Sequence, residues 1–341
     1  MDSTLILVGV IVLVALAFDF INGFHDAANS IATIVATRVL TPLQAVIWAA
    51  GFNFIAAFVL GTGVAKTVGS GMIDLKYVTP YVILAGLIGA ITWDLLTWWF
   101  GLPTSSSHAL LGGYAGAAMA RVAHLKGLDR AFDALLAAAW IKTLIFIILA
   151  PLMGLVLAYF LMVAVYWTFR HSSPLKMDNY FRKLQLVSSG LLSFSHGGND
   201  AQKTAGIITG VLVASGILKK FEMPSWVIFA AYGAIALGTL TGGWRIVHTM
   251  GNRLTRLKPR SGFCAETAAA FTILFATEYA KLPVSTTHVT AGAIAGVGSI
   301  QRLKAVRWGV ATNILWAWVL TIPAAALVGW LSMAGIQLFV P

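Results

Sequence analysis

Two segments of the chain place an aspartate among small and polar residues inside otherwise apolar sequence. One runs Phe20-Ile21-Asn22-Gly23-Phe24-His25-Asp26-Ala27-Ala28-Asn29-Ser30. The other runs Phe194-Ser195-His196-Gly197-Gly198-Asn199-Asp200-Ala201-Gln202-Lys203-Thr204. Aligned on Asp26 and Asp200, the asparagine and histidine exchange places around a constant glycine: Asn22 matches His196, and His25 matches Asn199. A charged side chain at the centre of a bilayer costs at least about 2.5–3.5 kcal/mol, so such residues mark a pathway or a site. A helix cap at the membrane surface is the plainer reading, and the repetition of the aspartate argues against it. The chemistry open to these groups is binding an ion and moving a proton or cation.

A second pair of segments carries hydroxyls. Leu102-Pro103-Thr104-Ser105-Ser106-Ser107-His108 matches Leu282-Pro283-Val284-Ser285-Thr286-Thr287-His288. Proline ends a preceding helix or opens the next one. Three successive hydroxyls at a helix start offer an oxyanion donors without formal charge. Ordinary capping by Ser or Thr is the alternative, and His108 and His288 then only brace the loops. Asp94 and Glu266 also fall within or beside apolar blocks, as proton carriers or as structural partners. Lys142 lies in such a block too, and snorkelling suits it.

These motifs need elements that hold them in a membrane. The 341 residues are 59% hydrophobic and 10% charged, with a mean hydropathy of +0.85. Soluble domains carry about 25% charged residues, so a water-soluble fold is excluded. Leu5 to Phe18, Val78 to Thr92 and Thr143 to Phe169 contain no charge. Backbone in lipid must satisfy its own hydrogen bonds, which leaves helices or closed barrels. Strict alternation is missing, so the fold expected is all-α, with about 10–12 transmembrane or re-entrant helices. Glycines at Gly23 and Gly197-Gly198 predict breaks in the motif helices. Asp2 and Asp19 flank the first apolar run, which reads as a membrane helix rather than a cleaved signal. A single cysteine, Cys264, excludes intrachain disulfides and thiolate metal clusters made by one chain. The net charge of +11 sits in short loops, a topology signal rather than a nucleic-acid site.

The motif pairs recur in one order. Thr67-Val68-Gly69 matches Thr249-Met250-Gly251, and Pro151 and Pro323 interrupt the last apolar block of each half. The expected organisation is a first membrane repeat at 1–170, a polar linker at 171–183 and a second repeat at 184–341. The loop holding Lys66, Asp74 and Lys76 is weakly basic. Its counterpart, with Arg245, His248, Arg253, Arg256, Lys258 and Arg260, is strongly basic. The positive-inside rule then places equivalent loops on opposite sides, as inverted repeats require, whereas the loops at Arg121 to Arg130 and Arg302 to Arg307 are both basic and do not discriminate. The N-terminus is expected outside and the linker inside.

At these residues the chain resembles the inorganic phosphate transporter (Pit) family, in its bacterial low-affinity permease form. The resemblance rests on residues 20–29, 102–108, 194–203 and 282–288, with Gly262-Phe263-Cys264-Ala265-Glu266, and covers nearly the whole chain. It implies a multi-pass protein of the inner cell membrane, not an enzyme, with two inverted repeats, two re-entrant hairpins and a homodimeric state. Its partners would be inorganic phosphate, a coupling cation and lipid, with no cofactor, no resident metal and no nucleic acid. The resemblance places Asp26, Asn29, Ser105, Ser106, Ser107, Asp200, Thr204, Ser285, Thr286 and Thr287 around the anion, and Ser30 and Lys203 of the same motifs are expected beside them. Asn22, Asp26, Asn199, Asp200, Asp94 and Glu266 would serve the coupling cation, and His25, His108, His196 and His288 would support the site. One departure stands out. Sodium-driven relatives carry Asp-x-x-Asn in both copies, whereas here the second copy reads Asp200-Ala201-Gln202-Lys203. A lysine ammonium donates and cannot accept, so Lys203 predicts proton coupling, or carriage of a metal–phosphate complex, over sodium. The rival readings are sodium-coupled phosphate symport, a sulfate or other oxyanion permease, and a lipid-phosphate hydrolase using Ser107 and His108.

Overall fold

The computed structural model describes residues 3–301 and 306–339. Asp2 and the basic pair Arg302 and Lys304 lie outside the described residues. Thirteen α-helices are described: α1 (Ser3–His25), α2 (Ala27–Ala36), α3 (Pro42–Ile55), α4 (Gly63–Ser70), α5 (Pro80–Phe100), α6 (Ser106–Lys126), α7 (Ala137–Thr168), α8 (Pro174–Ala214), α9 (Ser225–Thr241), α10 (Trp244–His248), α11 (Pro259–Leu274), α12 (Thr286–Gln301) and α13 (Trp308–Gln337). Local sequence sets their ends. Thr41 and Gln44 form a capping box with Pro42 opening α3, and Thr79 caps α5 ahead of Pro80. Gly101, at φ +65°, closes α5 in the left-handed region, which costs glycine little. Ser173 caps α8, so residues 174–183 are helical.

Large apolar side chains cover much of the outside, and many polar and charged residues are buried inside. Among the described residues, four helical stretches are long and apolar enough to cross a membrane: Thr4–Ala36, Pro80–Phe100, Ala137–Thr168 and Trp308–Gln337. Only 17% of the most apolar window of α7 and 28% of that of α13 is buried in the protein. Ile145, Ile148, Phe160, Trp316, Val319 and Leu327 on these two helices are exposed, which suits a lipid-facing wall. By contrast α6, with its serines, is buried along most of its length.

Two further spans are bent pairs: Pro42–Phe58 with Gly63–Ser70 at 84°, and Ser225–Thr241 with Trp244–Arg253 at 62°. These are the sharp breaks, and they fall away from the glycines expected to make them. The first motif bends only at Asp26, a single turn residue (φ −92°, ψ 3°) between α1 and α2. Helix α8 runs unbroken through Gly197 and Gly198. The glycines there serve close packing instead. A Cβ on Gly23 would lie 2.3 Å from the Ile235 carbonyl oxygen, and one on Gly197 would lie 2.6 Å from that of Asn53.

Packing crosses between the halves. Helix α6 packs on α5 and α13, α12 packs on α11 and α7, α1 lies against α9, and α8 lies against α3, α4 and α11. Two hydrophobic cores result. One gathers α1, α4, α5, α6, α9 and the part of α8 from Ala201 onward. The other gathers α2, α3, α7, α11, α12 and the part of α8 up to Leu192. Asp26, between α1 and α2, and Asp200, just before Ala201, therefore both lie at the seam between the cores.

Candidate functional site

The seam is polar and closed. Asp26, Asn29, Ser30, Ser105, Ser106, Ser107, Asp200, Lys203, Thr204, Ser285, Thr286 and Thr287 are all buried. Single ligand atoms of Asp26, His196 and Asp200 lie within 4.8 Å of one another. The two aspartates, 174 positions apart in the chain, thus meet.

The hydroxyl segments frame them. Non-helical stretches lead into α6 at Ser106 and α12 at Thr286. Ser105 Oγ accepts from the His108 N–H at 3.2 Å, and Ser285 Oγ from the His288 N–H at 3.1 Å. These two serines cap their helices, leaving their hydroxyl hydrogens free to donate elsewhere. Ser106 Oγ donates to Asp26 Oδ1 at 3.3 Å, and Thr286 Oγ1 to Asp200 Oδ2 at 3.4 Å. Asn29 reaches across the halves, its Nδ2 donating to Thr286 Oγ1 at 3.2 Å and Thr287 Oγ1 at 2.9 Å.

Lys203 crosses the other way. Its ammonium donates to Asp200 Oδ1 at 2.6 Å, to the Val284 carbonyl at 3.1 Å and to Ser107 Oγ. One cation thereby ties α8 to the starts of both hydroxyl segments, and all three of its donors are used. Ser107 Oγ also sits 3.5 Å from the Val284 carbonyl.

The histidines surround these groups, and His196 belongs to the cluster itself. His25 bonds Asp26 through Nδ1 at 2.7 Å and Thr97 through Nε2 at 3.0 Å. His196 reaches Asn53 Oδ1 at 3.3 Å and Asp200 Oδ2 at 3.4 Å. The His108 and His288 rings meet edge to face at 4.7 Å, and His288 stacks on Trp318 at 3.8 Å. Of the two further acids, Asp94 is buried with neither oxygen partnered. Glu266 sits in a separate cluster that satisfies it, accepting from Thr33 at 2.6 Å, Gln185 at 2.8 Å and Ser188 at 2.5 Å.

Several side-chain oxygens of these motifs are buried without a hydrogen-bond partner: Asn22 Oδ1, Asn29 Oδ1, Asn199 Oδ1, Ser30 Oγ and Thr204 Oγ1. Hydroxyl and amide groups of this kind can hold an oxyanion or a small cation.

Sequence reasoning missed three positions. Thr97 bonds His25, and Thr277 accepts from Asn199 Nδ2 at 2.7 Å. Each threonine stands five residues before a Leu-Pro pair, a signal present in the sequence. Asp19, read as the polar edge of the first apolar run, is instead fully buried on the Asn22 face of α1, with both carboxylate oxygens unpartnered.

An apolar helical shell around a buried polar centre, fed by both halves of the chain, defines a multi-pass membrane protein. The chain belongs to the phosphate transporter family, whose model matches residues 22–179 and again 169–329. It is 54% identical over 332 residues to a "probable low-affinity inorganic phosphate transporter" of Rhizobium meliloti, covering 96% of each chain. It is 44% identical over 337 residues to a protein of the same name from Bacillus subtilis, covering 96% of this chain and 97% of that one. Among solved structures it matches the sodium-dependent phosphate transporter with a TM-score of 0.83 at 23% identity, over 98% of this chain and 100% of that one. That likeness shows a shared fold. The family is one of transporters, which sets the hydrolase reading aside.

Proposed function

We propose that this chain moves inorganic phosphate across the membrane by cation-coupled symport, with the proton as the coupling ion. The observation that carries the reading is the meeting of Asp26 and Asp200 beside a lysine and two hydroxyl-bearing helix starts. Hydroxyls of Ser105, Ser106, Ser107, Ser285, Thr286 and Thr287 donate to phosphate oxygens. Lys203 supplies the fixed positive charge, and the aspartates accept the proton that phosphate still carries near neutral pH. A fixed ammonium beside Asp200 occupies the place where a sodium ion would need oxygen ligands, which favours the proton. The curated relatives are named for low-affinity inorganic phosphate transport, which agrees with phosphate as the substrate. The solved neighbour is sodium-dependent by name, and sodium is the second reading.

Transport proceeds by alternating access. The site lies between two cores, each built from both halves, so a rocking of one core against the other exposes it to either side in turn. Inverted repeats at 1–170 and 184–341 are the arrangement that makes the two exposures equivalent. The test is radiolabelled phosphate uptake into proteoliposomes, with proton and sodium gradients imposed separately. Uptake on the proton gradient alone supports the reading. Uptake only on sodium overturns the choice of ion, and no uptake on either overturns the substrate.

A further inference from the structure

Asp19 has no role in the site as drawn so far, yet burying it is expensive. It is completely buried, and neither of its oxygens has a hydrogen-bond partner. It lies three residues before Asn22, so the two share one face of α1, and seven before Asp26, which follows the helix's last residue. Thr204, Asn22, Asp200 and Lys203 are the groups that act on it. The Asn22 Oδ1 and Thr204 Oγ1 atoms are themselves buried and unpartnered.

Both oxygens of Asp19 are unpartnered, although the side chains that act on it could donate: the Thr204 hydroxyl, the Asn22 amide and the Tyr232 hydroxyl. Lys203 does not partner it, because its three donors serve Asp200, Ser107 and Val284. A carboxylate buried without a hydrogen-bond partner is costly when ionised, whereas a protonated one is neutral and can itself donate to the Asn22 or Thr204 oxygen. On the other elements packed against α1, the titratable groups are Tyr232 of α9, which interacts with Asp19, and Asp94 of α5, which interacts with His25 and Asp26. Neither is a cation.

We propose that Asp19 carries the coupling proton: it is protonated in the closed state and exchanges that proton with solution when the seam opens. This rests on the proton-coupled reading above. The step is a simple one. The Asp19 carboxylate takes a proton from water on the loading side, donates its O–H toward Thr204 or Asn22 while buried, and returns the proton on the other side. No bond between heavy atoms changes.

The test uses the full chain in proteoliposomes, comparing wild type, Asp19→Asn and Asp19→Glu. Two quantities are measured without sodium: accumulation of labelled phosphate driven by an imposed pH gradient, and exchange of internal for external phosphate at equal pH. Asp19→Asn should lose accumulation to the level of empty liposomes while exchange stays measurable, since an amide can pair with Thr204 but cannot cycle a proton. Asp19→Glu should restore accumulation with a shifted pH profile. Wild-type accumulation in Asp19→Asn overturns the proposal. So does loss of both activities in monodisperse Asp19→Asn, which would make Asp19 part of the phosphate site or a packing residue. If Asp19→Asn does not fold, an unchanged pH profile in Asp19→Glu overturns it. A wild type that accumulates phosphate only on a sodium gradient refutes the proton-coupled reading itself, whatever the variants do.

Discussion

Lys203 Nζ lies 2.6 Å from Asp200 Oδ1, one turn away on α8, with both side chains shielded from solvent. Removing one partner of a buried pair strands the other charge, at about 3–5 kcal/mol. Lys203→Asn therefore leaves Asp200 with an amide for a partner and removes the tie to Ser107 and Val284. It also restores the Asp-x-x-Asn spacing of the first motif. Phosphate uptake should fall, and what remains should gain a response to sodium. Uptake with the pH and sodium dependence of wild type would show that Lys203 does not set the coupling ion.

Thr97 and Thr277 hold His25 and Asn199 in matching ways, at 3.0 and 2.7 Å. Stranding the buried partner of each hydrogen bond costs about 1–3 kcal/mol, too little to unfold the protein. Thr97→Val and Thr277→Val should each reduce the uptake rate and lower the melting temperature modestly, and do so to similar degrees. A large effect from one and none from the other would mean that the two halves do not share the work of positioning.

What the sequence makes legible here follows from which side chains declare themselves. Asp26, Asp200 and the hydroxyl triplets are visible because polarity in an apolar run is costly, and cost implies purpose. Their convergence agrees with the family resemblance. Asp19 hid because it stands at the end of an uncharged stretch, where a polar residue reads as a membrane edge. Only the packing of α8 and α9 over that face of α1 shows it to be interior. Glu266 misled in the opposite direction. Its place beside an apolar block gives no hint of Thr33, Gln185 and Ser188, which come from α2 and α8 and satisfy it. The glycines were legible as backbone freedom but not as contact, since Ile235 and Asn53 approach them from distant sequence.

Those contacts make a stability prediction. Gly23→Ala would press a methyl group against the Ile235 carbonyl, and Gly197→Ala would press one against the Asn53 backbone. Overpacking of this kind costs about 1–3 kcal/mol. Both variants should melt at lower temperature in detergent than wild type. Gly9→Ala, with nothing within 4 Å of the added carbon, should not. Equal melting of all three would mean that the helices part at no cost.

Glu266 separates structure from coupling. Its carboxylate accepts three hydrogen bonds that join α2, α8 and α11. Glu266→Gln keeps the shape and one acceptor oxygen, so gradient-driven uptake should persist with the pH profile of wild type. Glu266→Ala leaves several buried donors unpaired, at about 1–3 kcal/mol each, and should lower yield and melting temperature. Loss of the pH response in a well-folded Glu266→Gln would instead assign this residue to the coupling path.

The choice between phosphate and sulfate turns on one proton. Phosphate near neutral pH has an O–H to donate, and in the proposed site Asp26 and Asp200 are the acceptors for it. Sulfate has none, so its oxygens would meet those carboxylates with no hydrogen between them. Sites built to bond a substrate hydroxyl reject an analogue lacking it by as much as roughly 10⁴–10⁵-fold. Excess unlabelled sulfate should therefore leave labelled phosphate uptake unchanged, while unlabelled phosphate suppresses it. Asp26→Asn turns one acceptor into a group that can also donate, so it should narrow the gap between the two anions even as it slows transport. Equal suppression by sulfate and phosphate in the wild type would refute phosphate selectivity and leave a general oxyanion permease.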